Sequence, residues 1–151
     1  MRIAPLYRLT FTYSHSWRVT IEGELGKERS MFLLAEGSCA GRISGSFRGA
    51  NFPRRRVDKQ FIPDFKGVIE TTDGAAILCE YRGFGRPDPA GRRQIVLSAT
   101  HTSDDERYRW LNDVVCVGAG EVRVESGQSE RRGSTTIVID FSELVWEPLA
   151  E

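Results

Sequence analysis

The sequence predicts an all-β protein: an antiparallel β-barrel of about eight to ten strands with one short helical turn near residues 103–109. Three observations carry that prediction. Apolar residues alternate with polar ones over short segments, the pattern of a half-buried strand. Turn-forming Gly, Pro and Asp punctuate the chain at intervals of about 8 to 12 residues, as in barrels and sandwiches. Helical signals are confined to the single stretch that begins at Ser103.

Each element follows from local chemistry. Residues 6–13 alternate as L-Y-R-L-T-F-T-Y and residues 17–21 as W-R-V-T-I, and residues 30–34 resume after a polar turn around residues 23–27. Gly37, Gly41, Gly45 and Gly49 then recur at a spacing of four, which disfavours a helix and suits strands with bulges or sharp barrel bends. The clearest hairpin joins residues 65–70 to residues 75–82 through Thr71-Thr72-Asp73-Gly74, where Asp-Gly supplies the positive φ of a tight turn. In its second arm Ile77, Cys79 and Tyr81 share one face, and Leu78, Glu80 and Arg82 the other. Residues 83–93 read as a loop broken by Pro87, Pro89 and Gly91, and residues 94–100 as the next strand. Ser103 with Glu106 three residues on is a capping-box pattern, strengthened by Asp104 and Asp105 at the positive end of the turn. Residues 111–117 read as a strand, residues 118–120 as a bend, residues 121–125 as its continuation, residues 126–134 as a polar hairpin loop and residues 135–141 as the closing strand.

At 151 residues the chain has room for one core, and one domain over residues 1–151 is expected. Its 21 Lys+Arg balance 21 Asp+Glu, so no global field draws it to nucleic acid or an anionic membrane. No run approaches the roughly 18 to 20 apolar residues of a membrane-spanning helix, and residues 1–17 lack the apolar core of a secretory signal. A cytoplasmic protein is expected. Cys39, Cys79 and Cys116 stand singly, without the C-x-x-C spacing of a zinc site, and His15 and His101 are far apart, so neither a disulfide framework nor a metal is expected.

The chemistry-bearing residues are few. Val117-Gly118-Ala119-Gly120 lacks the third glycine and the following helix of a dinucleotide fingerprint, and no G-x-x-x-x-G-K-[ST], G-x-S-x-G or H-E-x-x-H occurs. Arg54-Arg55-Arg56, flanked by Phe52, Lys59 and Phe61, reads as a solvated loop; rival readings are a nucleic-acid contact and an anion receptor at a cavity mouth. An unperturbed histidine titrates near neutrality, so His101 suits a general base if it points inward. Glu80 and Arg82 form a buried polar site if their face looks inward, and an ordinary surface contact if it looks outward. Tyr108, Trp110 and Asn112 share a face if a strand begins by Tyr108, a grouping that fits the wall of a small-molecule pocket and a barrel core equally.

Gly41-Arg-Ile-Ser-Gly45, Thr72-Asp-Gly-Ala75, Arg82-Gly83, Arg107-Tyr-Arg-Trp-Leu-Asn112, Val117-Gly-Ala-Gly120 and Val138-Ile-Asp140, in this order, resemble the DUF3237 family, also called UPF0311. The resemblance spans residues 6–146 and implies a small, lipocalin-like antiparallel barrel with no generally established reaction. It places the family's acidic position before the hairpin on Asp64, and its R-Y-x-W-L-N signature on Arg107, Tyr108, Trp110, Leu111 and Asn112. The family's G-G-A-D-W block is matched in part by Arg48-Gly-Ala-Asn-Phe52, where Asn51 stands for an acid and Phe52 for a tryptophan.

The function expected is that of a small-molecule barrel: a cofactor-independent enzyme of isomerase, hydratase or cyclase type acting by proton transfer on a hydrophobic or aromatic metabolite. Asp64 is its expected base, Tyr108 its acid, His101 a second acid-base group, and Asn51, Glu80, Arg82, Trp110 and Asn112 its substrate contacts. The alternative is a noncatalytic binding or carrier protein for the same ligands. A homodimer through strands bearing Trp17, Phe32 or Trp146 is a third expectation.

Overall fold

The computed structural model describes residues 1–87, 93–124 and 135–150. The polar loop expected at residues 126–134 and the breakers Pro89 and Gly91 lie outside them. Ten strands form one antiparallel sheet: β1 (Arg2–Gly23), β2 (Gly26–Gly41), β3 (Gly45–Asn51), β4 (Arg54–Arg55), β5 (Phe61–Ile62), β6 (Asp64–Thr71), β7 (Ala76–Pro87), β8 (Arg93–Thr102), β9 (Cys116–Val124) and β10 (Thr135–Val145). Eight of them close a ring in the order β1-β2-β3-β6-β7-β8-β9-β10 and back to β1, while β4 and β5 bridge β2 to β7. Closure pairs both edges of each ring strand, which removes the exposed edges of an open sheet. No helix among the described residues is long and apolar enough to cross a membrane.

The expected all-β barrel and its Asp73-Gly74 hairpin are present. Gly74 takes φ +91°, and the Thr71 hydroxyl accepts the Ala75 N–H and donates to Asp73. Several segments differ from the sequence reading, among them the bend expected at residues 118–120, where β9 runs unbroken over Cys116–Val124. The first two expected strands are one, because a β-bulge between Tyr13 and His15 absorbs the polar interruption at Ser14-His15-Ser16. Residues 83–87, read as loop, continue β7 opposite β8: Gly83 permits this, since a Cβ there would lie 2.0 Å from the Val96 carbonyl oxygen. The helical turn expected near residues 103–109 is a 3-10 turn over Arg109–Asp113, which takes the first residues of the strand read at 111–117, so β9 starts only at Cys116. The Asn112 amide explains the turn, accepting from the Ser103 N–H and donating to the Ser103 carbonyl, 2.8 and 3.0 Å.

Alternation fills the ring with side chains. Phe11, Phe47, Phe65, Tyr81 and Phe141 are buried, with Phe141 stacked 4.6 Å from Tyr81 and Phe47 5.6 Å from Phe65. The two ends of the ring differ. At one end the 3-10 turn buries Leu111 completely, as the β2–β3 connection buries Ile43. At the other end the inward-facing residues Tyr13, Arg29, Arg55, Phe61 and Ile95 are only partly buried. Beyond that end the distal half of β1 and the start of β2 form a ribbon on which His15, Trp17 and Phe32 lie in a row, continued by Phe52 after β3, at 5.8 to 6.1 Å. Trp17 and Phe52 are more than half exposed, and Trp146 follows β10, also exposed.

Candidate functional site

Among the described residues, two hydrogen-bonded polar clusters stand inside the ring. The first lies toward the Leu111 end, where β7 and β8 set Cys79 beside His101. The Tyr7 hydroxyl is 2.7 Å from His101 Nε2 and 2.9 Å from the Tyr81 hydroxyl, and Cys116 Sγ is 3.9 Å from Nδ1. Every member donates and accepts in turn, so the chain is satisfied with its protons pointing either way. Burial holds His101 neutral, with its pKa lowered to about 4, and pushes both tyrosines and the three cysteine thiols upward. His101 and Tyr81 are 2% and 1% exposed, so this chain is walled off from solvent.

The second cluster lies toward the opposite end. Tyr13 shares the inward parity of Leu9 and Phe11 along β1, and Asn51 closes β3 opposite Leu33 of β2. The Asn51 amide donates from Nδ2 to the Tyr13 hydroxyl oxygen at 2.9 Å, and its Oδ1 accepts the Asp64 backbone N–H at 3.0 Å. That second bond fixes which end of the amide faces Tyr13. Because the Tyr13 oxygen is already accepting, its own O–H is left to donate elsewhere. Burial raises the Tyr13 pKa to about 12, opposed by the Asn51 bond and the charge of Arg93. Tyr13 is therefore an oriented, fully protonated hydrogen-bond donor at neutral pH.

The expected site residues are dispersed by the register. Asn51 is interior, 1% exposed. His101 is interior too, but in the walled-off cluster. Asp64 opens β6 on the outer face opposite Arg82, 3.7 Å away, and Glu80 lies 3.7 Å from Lys66 on the same outer face. The period of two that buries Phe65, Cys79 and Tyr81 turns these three charged residues to solvent, so none is an interior base or ligand contact. The 3-10 turn likewise breaks the common face expected for Tyr108, Trp110 and Asn112. The Tyr108 hydroxyl donates to the Asp73 carboxylate at 2.8 Å, which burial and that bond together reflect in a raised tyrosine pKa. Trp110 is covered by the Arg42 guanidinium at 4.7 Å, and Asn112 braces Ser103. These three tie down the outside of the Leu111 end. Tyr7, Tyr13 and Tyr81 were missed as polar interior groups, although their parity with Leu9, Phe11, Ile77 and Cys79 places them there.

A cleft of 550 Å³ on the outer wall runs over β1, β2 and β10, but Arg8 is paired with Asp140 across it and Arg42 with Glu143. Among the described residues no group of three or more His, Cys, Asp or Glu side chains converges as a metal set.

The model of a family described as a protein of unknown function (DUF3237) matches residues 1–144. Among solved structures, the chain is similar to a β-barrel-like protein from Acinetobacter baumannii, with 18% identity, a TM-score of 0.75 and 94% of each chain covered. It is similar to a conserved protein of unknown function from Rhodopseudomonas palustris, at 20% identity and TM-score 0.71, covering 95% of this chain and 97% of that one. It is also similar to a protein described as an enzyme from Penicillium herquei, at 18% identity and TM-score 0.68, covering 94% and 92%. No curated protein sequence matches. With a closed antiparallel ring of eight strands and a family match over residues 1–144, the chain belongs to the DUF3237 family.

Proposed function

We propose that this barrel binds a small hydrophobic or aromatic molecule at its Tyr13 end and acts on it as a cofactor-independent enzyme of isomerase, hydratase or cyclase type. The observation that carries the reading is the Tyr13–Asn51 pair: the amide occupies the phenol oxygen and frees the phenol proton for a guest. A hydroxyl so oriented stabilises an oxygen that gains negative charge during proton transfer, which costs little reorganisation at the moment of reaction. The aromatic side chains behind it, Phe11 and Phe65, give the guest an apolar floor. The similarity to a Penicillium herquei enzyme agrees with catalysis and does not specify it.

Noncatalytic binding is the second reading, and one observation favours it. The buried polar and charged residues are Asn51, Thr71, His101 and Ser103, so among the described residues no interior carboxylate faces Tyr13 as a base.

Native mass spectrometry of freshly purified protein, followed by denaturing extraction, supplies the ligand for the test. Tyr13→Phe is expected to lower turnover of the extracted molecule by about 100-fold or more while its binding falls less than tenfold. Unchanged turnover in the variant contradicts the enzyme reading at this site. A wild-type protein that holds the molecule without converting it is the signature of the carrier.

A further inference from the structure

The same end of the ring carries a concentration of positive charge that the Tyr13–Asn51 pair does not use. Alternation along the strands turns Arg18 of β1, Arg29 of β2, Arg55 of β4 and Arg93 of β8 to the inward side, the side of Met31, Leu33, Ile95 and Leu97. The register brings them together. Arg29 stands directly opposite Arg55, Arg55 opposite Phe61, and Arg18 opposite Met31. The Arg93 guanidinium lies over the Phe61 ring at 5.7 Å. Arg93 feels the charges of both Arg55 and Arg18, which, after desolvation, push it below the ordinary guanidinium value. The same charge reaches the Tyr13 hydroxyl.

Like charges directly opposite each other in a sheet destabilise it, and the neighbouring arginines show the usual remedy. Arg54 and Arg56 point outward and pair with Glu28 and Asp58. Among the described residues, Arg18, Arg29, Arg55 and Arg93 make no ion pair. Four guanidinia with fork-shaped donor sets are therefore set on the inward side at the end of the ring that holds Tyr13 and Phe61, and among the described residues none of them is neutralised by a carboxylate, Glu22 on the same face of β1 being paired with Lys27. We propose that the Tyr13 end selects an organic anion, an aromatic molecule bearing a carboxylate or a phosphate monoester, whose charged group is taken by Arg55 and Arg93 and whose ring lies toward Phe61 and Tyr13. This rests on the reading that the Tyr13 end is the ligand site, and narrows it to a charge class.

Calorimetric titration with three probes of one shape tests it: 1-naphthoate, 1-naphthyl phosphate and the neutral 1-naphthalenemethanol. At least one anion is expected to bind tenfold or more tightly than the alcohol, with affinity falling as salt rises. Arg55→Gln and Arg93→Gln are each expected to erase that preference, and Arg54→Gln, on the outer face, to keep it. The preferred anion identifies the source class as carboxylate or phosphate. Equal binding of anions and alcohol, or a preference that survives in both inner variants, overturns the anion inference while leaving the small-molecule site intact. Absence of binding by all three probes overturns the ligand site and the inference with it.

Discussion

Between pH 6.5 and pH 4 the protein is expected to lose about 3 kcal/mol of stability through His101 alone. In the unfolded chain this imidazole titrates near its ordinary value of about 6.5, whereas burial among Tyr7, Tyr81 and Cys116 lowers the folded value to about 4. The folded state thus refuses a proton that the unfolded state accepts. Stability from this source is complete above the unfolded value, declines as pH falls toward the folded one, and changes no further below it. Urea unfolding at closely spaced pH values is expected to show a slope approaching 1.4 kcal/mol per pH unit in that window. His101→Gln, which keeps a hydrogen-bonding group against Tyr7, is expected to flatten it. Parallel curves for wild type and variant would remove His101 as the cause. Carboxylates paired with arginines near the surface, such as Asp105 at about 2, act only at lower pH.

Asn51→Asp is expected to weaken binding of an aromatic anion by about 10- to 100-fold while leaving the barrel folded. The substitution preserves the oxygen that accepts the Asp64 N–H but removes the Nδ2 donor that holds the Tyr13 oxygen. A carboxylate at this position can only accept, so the Tyr13 proton turns toward it and is withdrawn from the guest. The new charge also satisfies part of the demand of Arg93 and its neighbours. Titration of 1-naphthoate into both proteins checks the effect, and unchanged affinity would show that Tyr13 does not donate to the ligand. The position has added interest because the DUF3237 resemblance places an acid where this chain has Asn51: the substitution asks what the amide contributes here.

The ring was legible because its strands alternate and its tightest hairpin carries Asp73-Gly74, signals written in adjacent residues. The same alternation placed Ile77, Cys79 and Tyr81 on one face, and that face proved to be the interior. What alternation leaves open is which face is inside, so Glu80 and Arg82 stayed ambiguous until β6 supplied Lys66 and Asp64 as outer partners. The 3-10 turn was misread beyond Tyr108 because its cause is a long-range brace: the Asn112 amide bonds Ser103, nine residues back. Tyr13 was hidden by its neighbours. The polar run Ser14-His15-Ser16 separated two expected strands, and only the bulge reveals that β1 continues past Tyr13 beyond the end of the barrel. Of the arginine cluster only Arg55 carried a local signal, in the Arg54-Arg55-Arg56 run, since the other members come from β1, β2 and β8.

The most direct test of the central claim is a methyl-resolved NMR titration of the wild-type protein with 1-naphthoate. Binding at the Tyr13 end is expected to shift the methyl signals of Met31 and Ile95, which lie beneath the arginines, and to leave those of Ile43, Ile77 and Leu111 at the far end unmoved. Shifts confined to Ile43 and Leu111, or to Leu6 beside the outer cleft, would place the ligand elsewhere and contradict the account.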